Sequence, residues 1–182
     1  YGITECGPII SCNTDRYKKI KSVGKVVPCI SIKIVDGEIW VKGEIVMKGY
    51  YNNKEETEKG LVEGWFKTGD LGYLDKDGFL YLTGRKKNLI ILSNGKNVLP
   101  EELEQLIMQI SYVKEVLVSG VEGNIRAEVF LDKGNEHDME NEIKKDILKI
   151  NRKLPNYKKI RKIIIRNQEF EKTTTKKIKR TK

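Results

Sequence analysis

The chemistry of this chain centres on one aspartate and one arginine, each placed where a predicted strand ends. Asp70 closes the segment Gly64–Asp70, and Arg85 lies in the segment Gly84–Lys87. The turn Lys76-Asp77-Gly78 lies between them, so the two strands would run side by side. A carboxylate that accepts hydrogen bonds and a guanidinium that donates them suit a ligand with hydroxyl and phosphate groups. The local pattern alone is also consistent with an aspartate that caps a turn and an arginine on the surface.

Three cysteines and one histidine leave little scope for metal or covalent chemistry. Cys6, Cys12 and Cys29 lack the spacing of a zinc site, and His137 is the only imidazole. A Ser/His/Asp or Cys/His arrangement cannot be built around this histidine, which argues against covalent hydrolase chemistry. Reduced thiols are typical of cytosolic proteins, so we predict a cytoplasmic location.

The size and charge of the chain set limits on its class. Its 182 residues fit one domain or two small ones, and no apolar run of membrane-spanning length and no signal sequence is visible. The net charge is +9, and the last eleven residues carry six lysines or arginines. A polyanionic partner and a solvated basic surface with a frayed tail both account for this charge. The first residue is Tyr1 and not methionine, which indicates a piece of a longer protein.

The first half of the chain reads as β-rich. Ile30, Ile32 and Ile34 alternate with polar residues, and Asp36-Gly37 predicts a hairpin turn into a strand over Glu38–Lys42. A further strand is expected over 44–47, a helical turn over 53–59, and a second hairpin joining 73–74 to 79–82. Glycines recur between 43 and 84, which we interpret as the corners of a small distorted β-barrel.

The second half has the pattern of a small α+β domain. A strand is predicted over Leu89–Leu92, and Pro100 begins a helix whose apolar residues recur at helical spacing. Two strands, a helix over 138–153 and a final strand over 159–166 follow. This order predicts helices on one face of a sheet. We place the domain boundary at Arg85–Lys87.

Five separated segments together resemble the adenylate-forming superfamily, which includes acyl-CoA and aryl-CoA ligases, adenylation domains of peptide synthetases and luciferases. The segments are Tyr1–Glu5, Gly64–Asp70, Gly84–Lys87, Asn94-Gly95 and Thr173–Arg180, and they occur in the family's order. Residues 64–72 and 84–98 are most similar to bacterial long-chain fatty acyl-CoA ligases.

The resemblance implies a division of the chain and a reaction. Residues 1–84 would be the β-rich last part of the large AMP-binding domain, and residues 85–182 the mobile C-terminal domain. The parent enzyme would use ATP and Mg²⁺ to convert a carboxylate, of the long-chain fatty type, to acyl-AMP and then transfer the acyl group to CoA. Because the phosphate-binding loop and most of the acyl pocket would lie upstream, we predict that residues 1–182 are inactive alone.

The resemblance also assigns the nucleotide site. Tyr1 would stack on the adenine ring, Thr4 would contact the α-phosphate, and Glu5 would ligate the magnesium ion. Asp70 would accept hydrogen bonds from both ribose hydroxyls. Arg85 would donate to the same ribose or to the phosphate.

Three further roles follow from position in the motifs. Lys87 would be the hinge of the C-terminal domain, and Gly95 would line the tunnel for the pantetheine arm of CoA. Lys177 would bridge the attacking carboxylate and the α-phosphate. In the family pattern Pro-x-Thr-x-x-Gly-Lys-x-x-Arg, Lys176 stands here in place of the glycine, and the register favours Lys177 over Lys176.

Two other classes of function remain open at this point. The enzyme could load the acyl group onto a carrier protein in place of free CoA. The basic tail could instead belong to a nucleic-acid-binding module, but it lacks interleaved aromatic residues, so we expect no nucleic-acid partner. We expect small-molecule substrates, with peripheral membrane association of the parent enzyme through its lipid substrate.

Overall fold

A computed structural model of the chain describes residues 1–132, 136–174 and 176–180. Residues 133–135, 175 and 181–182 lie outside this description, and they include Thr175 of the C-terminal motif and the last two residues of the basic tail. The chain forms two compact units, Tyr1–Lys87 and Asn88–Lys182. Each unit is described by itself below.

The first unit is built on antiparallel strands. Its elements are a 3-10 helix (Thr4–Cys6), β1 (Ser11–Cys12), β2 (Lys25–Val26), β3 (Ile30–Val35), β4 (Glu38–Gly43), α1 (Lys54–Gly60), β5 (Leu61–Val62), β6 (Trp65–Leu74) and β7 (Leu80–Arg85). Asp36 and Gly37 both have positive φ, 50° and 79°, which is the backbone of a tight hairpin turn between β3 and β4. Asn53 caps α1 by accepting a hydrogen bond from the backbone of Glu56.

The predicted barrel is wrong, because the main sheet of this unit is open. The strand order is β3-β4-β6-β5, and β7 also pairs with β6. β6 is ten residues long, so β5 pairs with its first part and β7 with its last part. Within the described residues, β3 pairs only with β4, so no ladder closes the sheet. The strand expected over 44–47 is also absent there, because the chain turns after Gly43.

The inner face of this sheet packs against the loops that precede it. The buried cluster consists of Cys6, Ile10, Ile30, Ile39, Val41, Phe66 and Leu80. Burial of an Ile or Phe side chain of this kind contributes about 1.5–3 kcal/mol. The segment before β1 is thereby fixed to the strands that carry Asp70 and Arg85.

The second unit is α+β, as predicted, but its main sheet has three strands and does not include the strand predicted over 89–92. Its elements are β8 (Ile90–Ile91), β9 (Asn97–Val98), α2 (Pro100–Ile107), β10 (Val113–Val121), β11 (Asn124–Leu131), α3 (Glu136–Lys153), a 3-10 helix (Asn156–Lys158) and β12 (Ile160–Arg166). β10, β11 and β12 form one sheet, with β12 parallel to β11. The strand predicted over 89–92 pairs only with β9 among the described residues and forms a separate two-stranded ribbon.

The two helices of this unit bury one apolar stripe each. Pro100 is in the first turn of α2, and the buried side chains of this helix are Pro100, Leu103 and Ile107. Ile143 and Ile147 of α3 join the same core as Val118 and Val129 of the sheet. Within the described residues, no helix combines the length and the apolar composition needed to cross a membrane.

Candidate functional site

The carboxylate of Asp70 is the centre of a hydrogen-bonded cluster in the first unit. Arg85 Nε lies 2.6 Å from Asp70 Oδ1, and the phenol of Tyr1 donates to Asp70 Oδ2 over 2.6 Å. Asp70 is 6% exposed, whereas the side chain of Arg85 is 41% exposed. Each carboxylate oxygen can accept two hydrogen bonds, so Asp70 retains capacity for two hydroxyl donors.

The sheet sets the position of this pair. Asp70 of β6 and Arg85 of β7 are directly opposite each other in the antiparallel register. Thr68 is buried beside them, and its hydroxyl donates to the Ile39 carbonyl and accepts from the Asp70 backbone. Gly69 lies between Thr68 and Asp70 with φ +70°, a conformation that favours glycine.

Tyr1 is attached to this site through its backbone as well as its phenol. Its nitrogen donates to the Ser11 carbonyl, and its own carbonyl accepts from Ile10 and Ser11. Burial, followed by the hydrogen bond to Asp70, raises the pKa of the Tyr1 phenol, so this group stays a donor at neutral pH. The structure therefore brings Tyr1, Asp70 and Arg85 together, three residues from three of the five motif segments.

Glu5 is held by a residue that the motif did not identify. The phenol of Tyr50 donates to Glu5 Oε1 over 3.0 Å, and the Met47 backbone donates to the Glu5 carbonyl. Thr4 begins the same 3-10 helix and is exposed. Within the described residues, no group of three or more His, Cys, Asp or Glu could hold a metal. A single carboxylate oriented in this way fits a Mg²⁺ ion that takes its remaining ligands from phosphate and water.

The thiol of Cys6 is not a reactive group. Cys6 is fully buried, and burial, followed by the charge of Glu5, raises the pKa of its thiol to about 11. A thiol with this pKa is protonated at neutral pH and a poor nucleophile. Cys12 and Cys29 are free and exposed.

Lys87 and Gly95 lie on exposed turns of the backbone. Lys87 is the middle residue of a 3-10 helix over Lys86–Asn88, at the end of the first unit. Gly95 lies in the turn between β8 and β9 with φ +75°, and a Cβ at this position would meet no atom within 4 Å. Glycine is thus favoured by the backbone conformation and not by crowding.

Lys177 lies in a tight hairpin near the end of the second unit. Thr173 closes this hairpin, since its backbone donates to the Lys177 carbonyl and its hydroxyl accepts from the Lys177 backbone. Lys176 has φ +60°, a left-handed conformation that favours glycine. The residue that stands in place of the family's glycine therefore has a glycine-like backbone, and Lys177 directly follows it.

Arg180 fixes this hairpin to the core of the second unit. Its guanidinium contacts both carboxylate oxygens of Glu104, at 2.7 and 2.6 Å, and donates to the Val118 carbonyl. Lys172 at the start of the hairpin is paired with Glu115. Among the described residues of the tail, Lys172 and Arg180 thus anchor the two ends of the hairpin to the folded unit.

Three supporting residues were missed by sequence reasoning. Glu38, Tyr50 and Glu104 are single polar residues in segments whose pattern predicts only strand, turn or helix. Their partners lie 31–48, 45 and 76 residues away along the chain. No local signal identifies such residues, because only the long-range fold brings the partners into contact.

Comparison with known families identifies the class to which this geometry belongs. Residues 1–51 match the AMP-binding enzyme family, and residues 87–182 match the AMP-binding enzyme C-terminal domain. The second match alone covers more than half of the chain. The chain therefore belongs to the AMP-binding, or adenylate-forming, enzyme family.

Individual relatives fall into more than one substrate type. The chain is 42% identical over 121 residues to the long-chain-fatty-acid–CoA ligase FadD15 of Mycobacterium bovis, an alignment that covers 66% of this chain and 20% of that protein. It is 49% identical over 107 residues to the 2-succinylbenzoate–CoA ligase of Listeria monocytogenes, covering 58% of this chain and 23% of that protein.

A solved structure shares the fold over almost the whole chain. The o-succinylbenzoate coenzyme A synthetase (MenE) of Bacillus subtilis in complex with AMP aligns with a TM-score of 0.81 and 33% identity, covering 98% of this chain and 38% of that chain. The same enzyme in complex with ATP and magnesium ion aligns with a TM-score of 0.78. The chain thus spans well under half the length of the relatives that it matches.

Proposed function

We propose that this chain is the C-terminal part of an ATP-dependent acid–CoA ligase. Residues 1–84 would complete the large nucleotide-binding domain, and residues 85–182 would form the mobile C-terminal domain. The observation that carries this proposal is the convergence of Tyr1 and Arg85 on the carboxylate of Asp70, because Tyr1 is 69 residues from Asp70 and the three residues belong to three different motif segments.

The first unit would hold the nucleotide. Asp70 accepts hydrogen bonds from the two ribose hydroxyls, and Arg85, whose side chain is 41% exposed, donates to the ribose or the phosphate. Tyr1 places its ring against the adenine, and Thr4 contacts the α-phosphate. Glu5, oriented by Tyr50, would hold a Mg²⁺ ion, which neutralises phosphate charge when bound.

Lys177 of the second unit would stabilise the adenylation step. The fatty or aromatic carboxylate attacks the α-phosphate, giving acyl-AMP and pyrophosphate. A fixed cation about 4 Å from the developing negative charge contributes about 4 kcal/mol at an effective dielectric constant near 20, or about three orders of magnitude in rate. Rotation about Lys87 would then withdraw Lys177 and present Gly95 to CoA, whose thiol displaces AMP.

The acid substrate is the finer part of the proposal. Residues 64–72 and 84–98 favour a long-chain fatty acid, and the 49% identity to a 2-succinylbenzoate–CoA ligase makes that acid a second candidate. None of the relatives named above is described as loading a carrier protein or binding nucleic acid, so neither alternative is proposed further.

A panel of acids tests this function in the full-length enzyme that contains the chain. Acid-dependent exchange of pyrophosphate into ATP is measured with fatty acids of graded length and with 2-succinylbenzoate, and the products are analysed with CoA and with a loaded carrier protein. We expect exchange with one acid class and a CoA thioester as product. Exchange with none of these acids would contradict the proposal.

A further inference from the structure

Glu38 is a buried carboxylate at the point where three strands of the first unit meet. It is the first residue of β4, directly after the Asp36-Gly37 turn, and its side chain is only 5% exposed. Its Oε1 accepts a hydrogen bond from the Gly69 backbone over 3.0 Å. Its Oε2 lies 2.8 Å from Lys86 Nζ. A buried carboxylate is tolerated only when its oxygens are paired in this way.

The two partners of Glu38 are the chain neighbours of the nucleotide-site pair. Gly69 directly precedes Asp70 on β6, and Lys86 directly follows Arg85 at the end of β7. One side chain therefore contacts the residue before Asp70 and the residue after Arg85.

The backbone ladders on both sides of β6 are irregular close to this pair. The register between β4 and β6 is irregular between Glu38 and Trp40, and that between β6 and β7 is irregular between Leu71 and Gly72. Irregularities of this kind leave backbone groups without a ladder partner. The Glu38 carboxylate supplies the acceptor for Gly69, and the Thr68 hydroxyl supplies the donor for the Ile39 carbonyl.

We propose that Glu38 is a positioning residue for ribose binding, which acts through Gly69 and Lys86 to set the separation of Asp70 and Arg85. The inference rests on the proposed function, since it assumes that Asp70 and Arg85 contact ribose. Precise support of binding residues by a second layer of hydrogen bonds is what separates a defined site from a loose one. Glu38 itself touches no ligand in this account.

The test compares two nucleotides that differ only at the ribose. Binding of AMP and of 2′,3′-dideoxy-AMP to the full-length enzyme is measured by calorimetry, and the ratio of the two dissociation constants reports the ribose contacts alone. A general loss of stability weakens both nucleotides equally and leaves this ratio unchanged. We expect the unaltered enzyme to prefer AMP by about tenfold or more, the effect of losing hydrogen bonds to a charged group.

Four variants separate the outcomes. Glu38→Gln and Lys86→Met should each reduce the preference for AMP at least about threefold, and Asp70→Asn should abolish it. Glu44→Ala removes an exposed carboxylate beyond the other end of β4 and should leave the preference unchanged. The Lys86 side chain is largely exposed, so we expect Lys86→Met to fold. This variant removes the same ion pair and therefore still tests the proposal if Glu38→Gln does not fold.

An unchanged preference in the variants would overturn the proposal. If Glu38→Gln and Lys86→Met retain it while Asp70→Asn loses it, Glu38 has only a structural role. The same conclusion follows if Glu38→Gln unfolds and Lys86→Met retains the preference. If Asp70→Asn also retains it, the ribose contact assigned under the proposed function is wrong, and the role of Glu38 fails with it.

Discussion

Asp70 and Arg85 are paired directly across β6 and β7, with Arg85 Nε 2.6 Å from Asp70 Oδ1. The acceptor and the donor of the proposed ribose site thus lie on adjacent strands of one hairpin and not on flexible loops. Asp70 is buried and Arg85 is half-exposed, so the pair presents its arginine side to solvent.

The shape of the arginine should matter for nucleotide binding. Arg85→Lys keeps the charge but loses the Nε donor that faces Asp70 Oδ1, so we expect AMP to bind the full-length enzyme about tenfold more weakly. Calorimetric titration with AMP provides the measurement, and Arg16→Lys, at an exposed position, is the matched control. Equal affinities of the unaltered enzyme and the Arg85 variant would argue against this contact.

Much of the local structure was predictable from the sequence. The alternation of Ile30, Ile32 and Ile34 before Asp36-Gly37 predicted the first hairpin, and Pro100 before an apolar stripe predicted α2. These elements follow from short-range geometry. The same hairpin logic placed Asp70 and Arg85 close together.

The long-range pairing of strands was not predictable in the same way. In the open sheet, β5 pairs with the first part of β6 and β7 pairs with its last part. No local sequence pattern specifies this choice of partners. The turn between β10 and β11 lies at Glu122-Gly123, so Gly120, a residue type common in turns, lies inside β10. Glu38 was missed for a related reason, because its partners lie on or just beyond two other strands.

Arg180 should be important for the stability of the second unit. Replacing it by methionine leaves the carboxylate of Glu104, whose side chain is 15% exposed, without its charged partner. We expect a loss of about 2–4 kcal/mol in the free energy of unfolding at pH 7, measured by urea denaturation of the 182-residue chain. Lys179→Ala removes an exposed ion pair and should cost less than about 0.5 kcal/mol.

The effect of the Arg180 variant should depend on pH. Burial raises the pKa of Glu104 above its ordinary value of 4.5, against the opposing effects of Val118 and Arg180. A carboxyl group whose pKa is higher in the folded chain than in the unfolded chain stabilises the fold at pH values below its unfolded-state pKa. This stabilisation is lost as the pH rises through the pKa of the folded state. Without Arg180 the pKa of Glu104 rises further, so the penalty should be smaller at about pH 4 than at pH 7. An equal penalty at both values would contradict this explanation.

Lys176 should tolerate glycine better than alanine. At φ +60°, glycine relieves the left-handed strain, so Lys176→Gly should stabilise the chain by up to about 1 kcal/mol, whereas Lys176→Ala should not. Thermal unfolding of both variants provides the comparison. Adenylation by the full-length Lys176→Gly enzyme should persist, and its loss would indicate that Lys176, and not Lys177, contacts the substrate.

Gly95 and Gly78 form a matched pair that separates backbone strain from function. Their φ angles are +75° and +77°, and a Cβ added at either position would meet no atom within 4 Å, so alanine at either site should cost about 1–2 kcal/mol. Only Gly95→Ala should also slow thioester formation from supplied acyl-AMP in the full-length enzyme. Equal slowing by Gly78→Ala would show that strain alone is responsible.

The most direct test of the account is the effect of Lys177→Ala on the two half-reactions of the full-length enzyme. Removing the fixed cation should reduce acid-dependent ATP–pyrophosphate exchange by about three orders of magnitude. Thioester formation from supplied acyl-AMP and CoA should remain within a few-fold of the unaltered enzyme, because Lys177 would be withdrawn in that step. An equal fall in both half-reactions, or the same selective loss in Lys176→Ala, would contradict the assignment of Lys177.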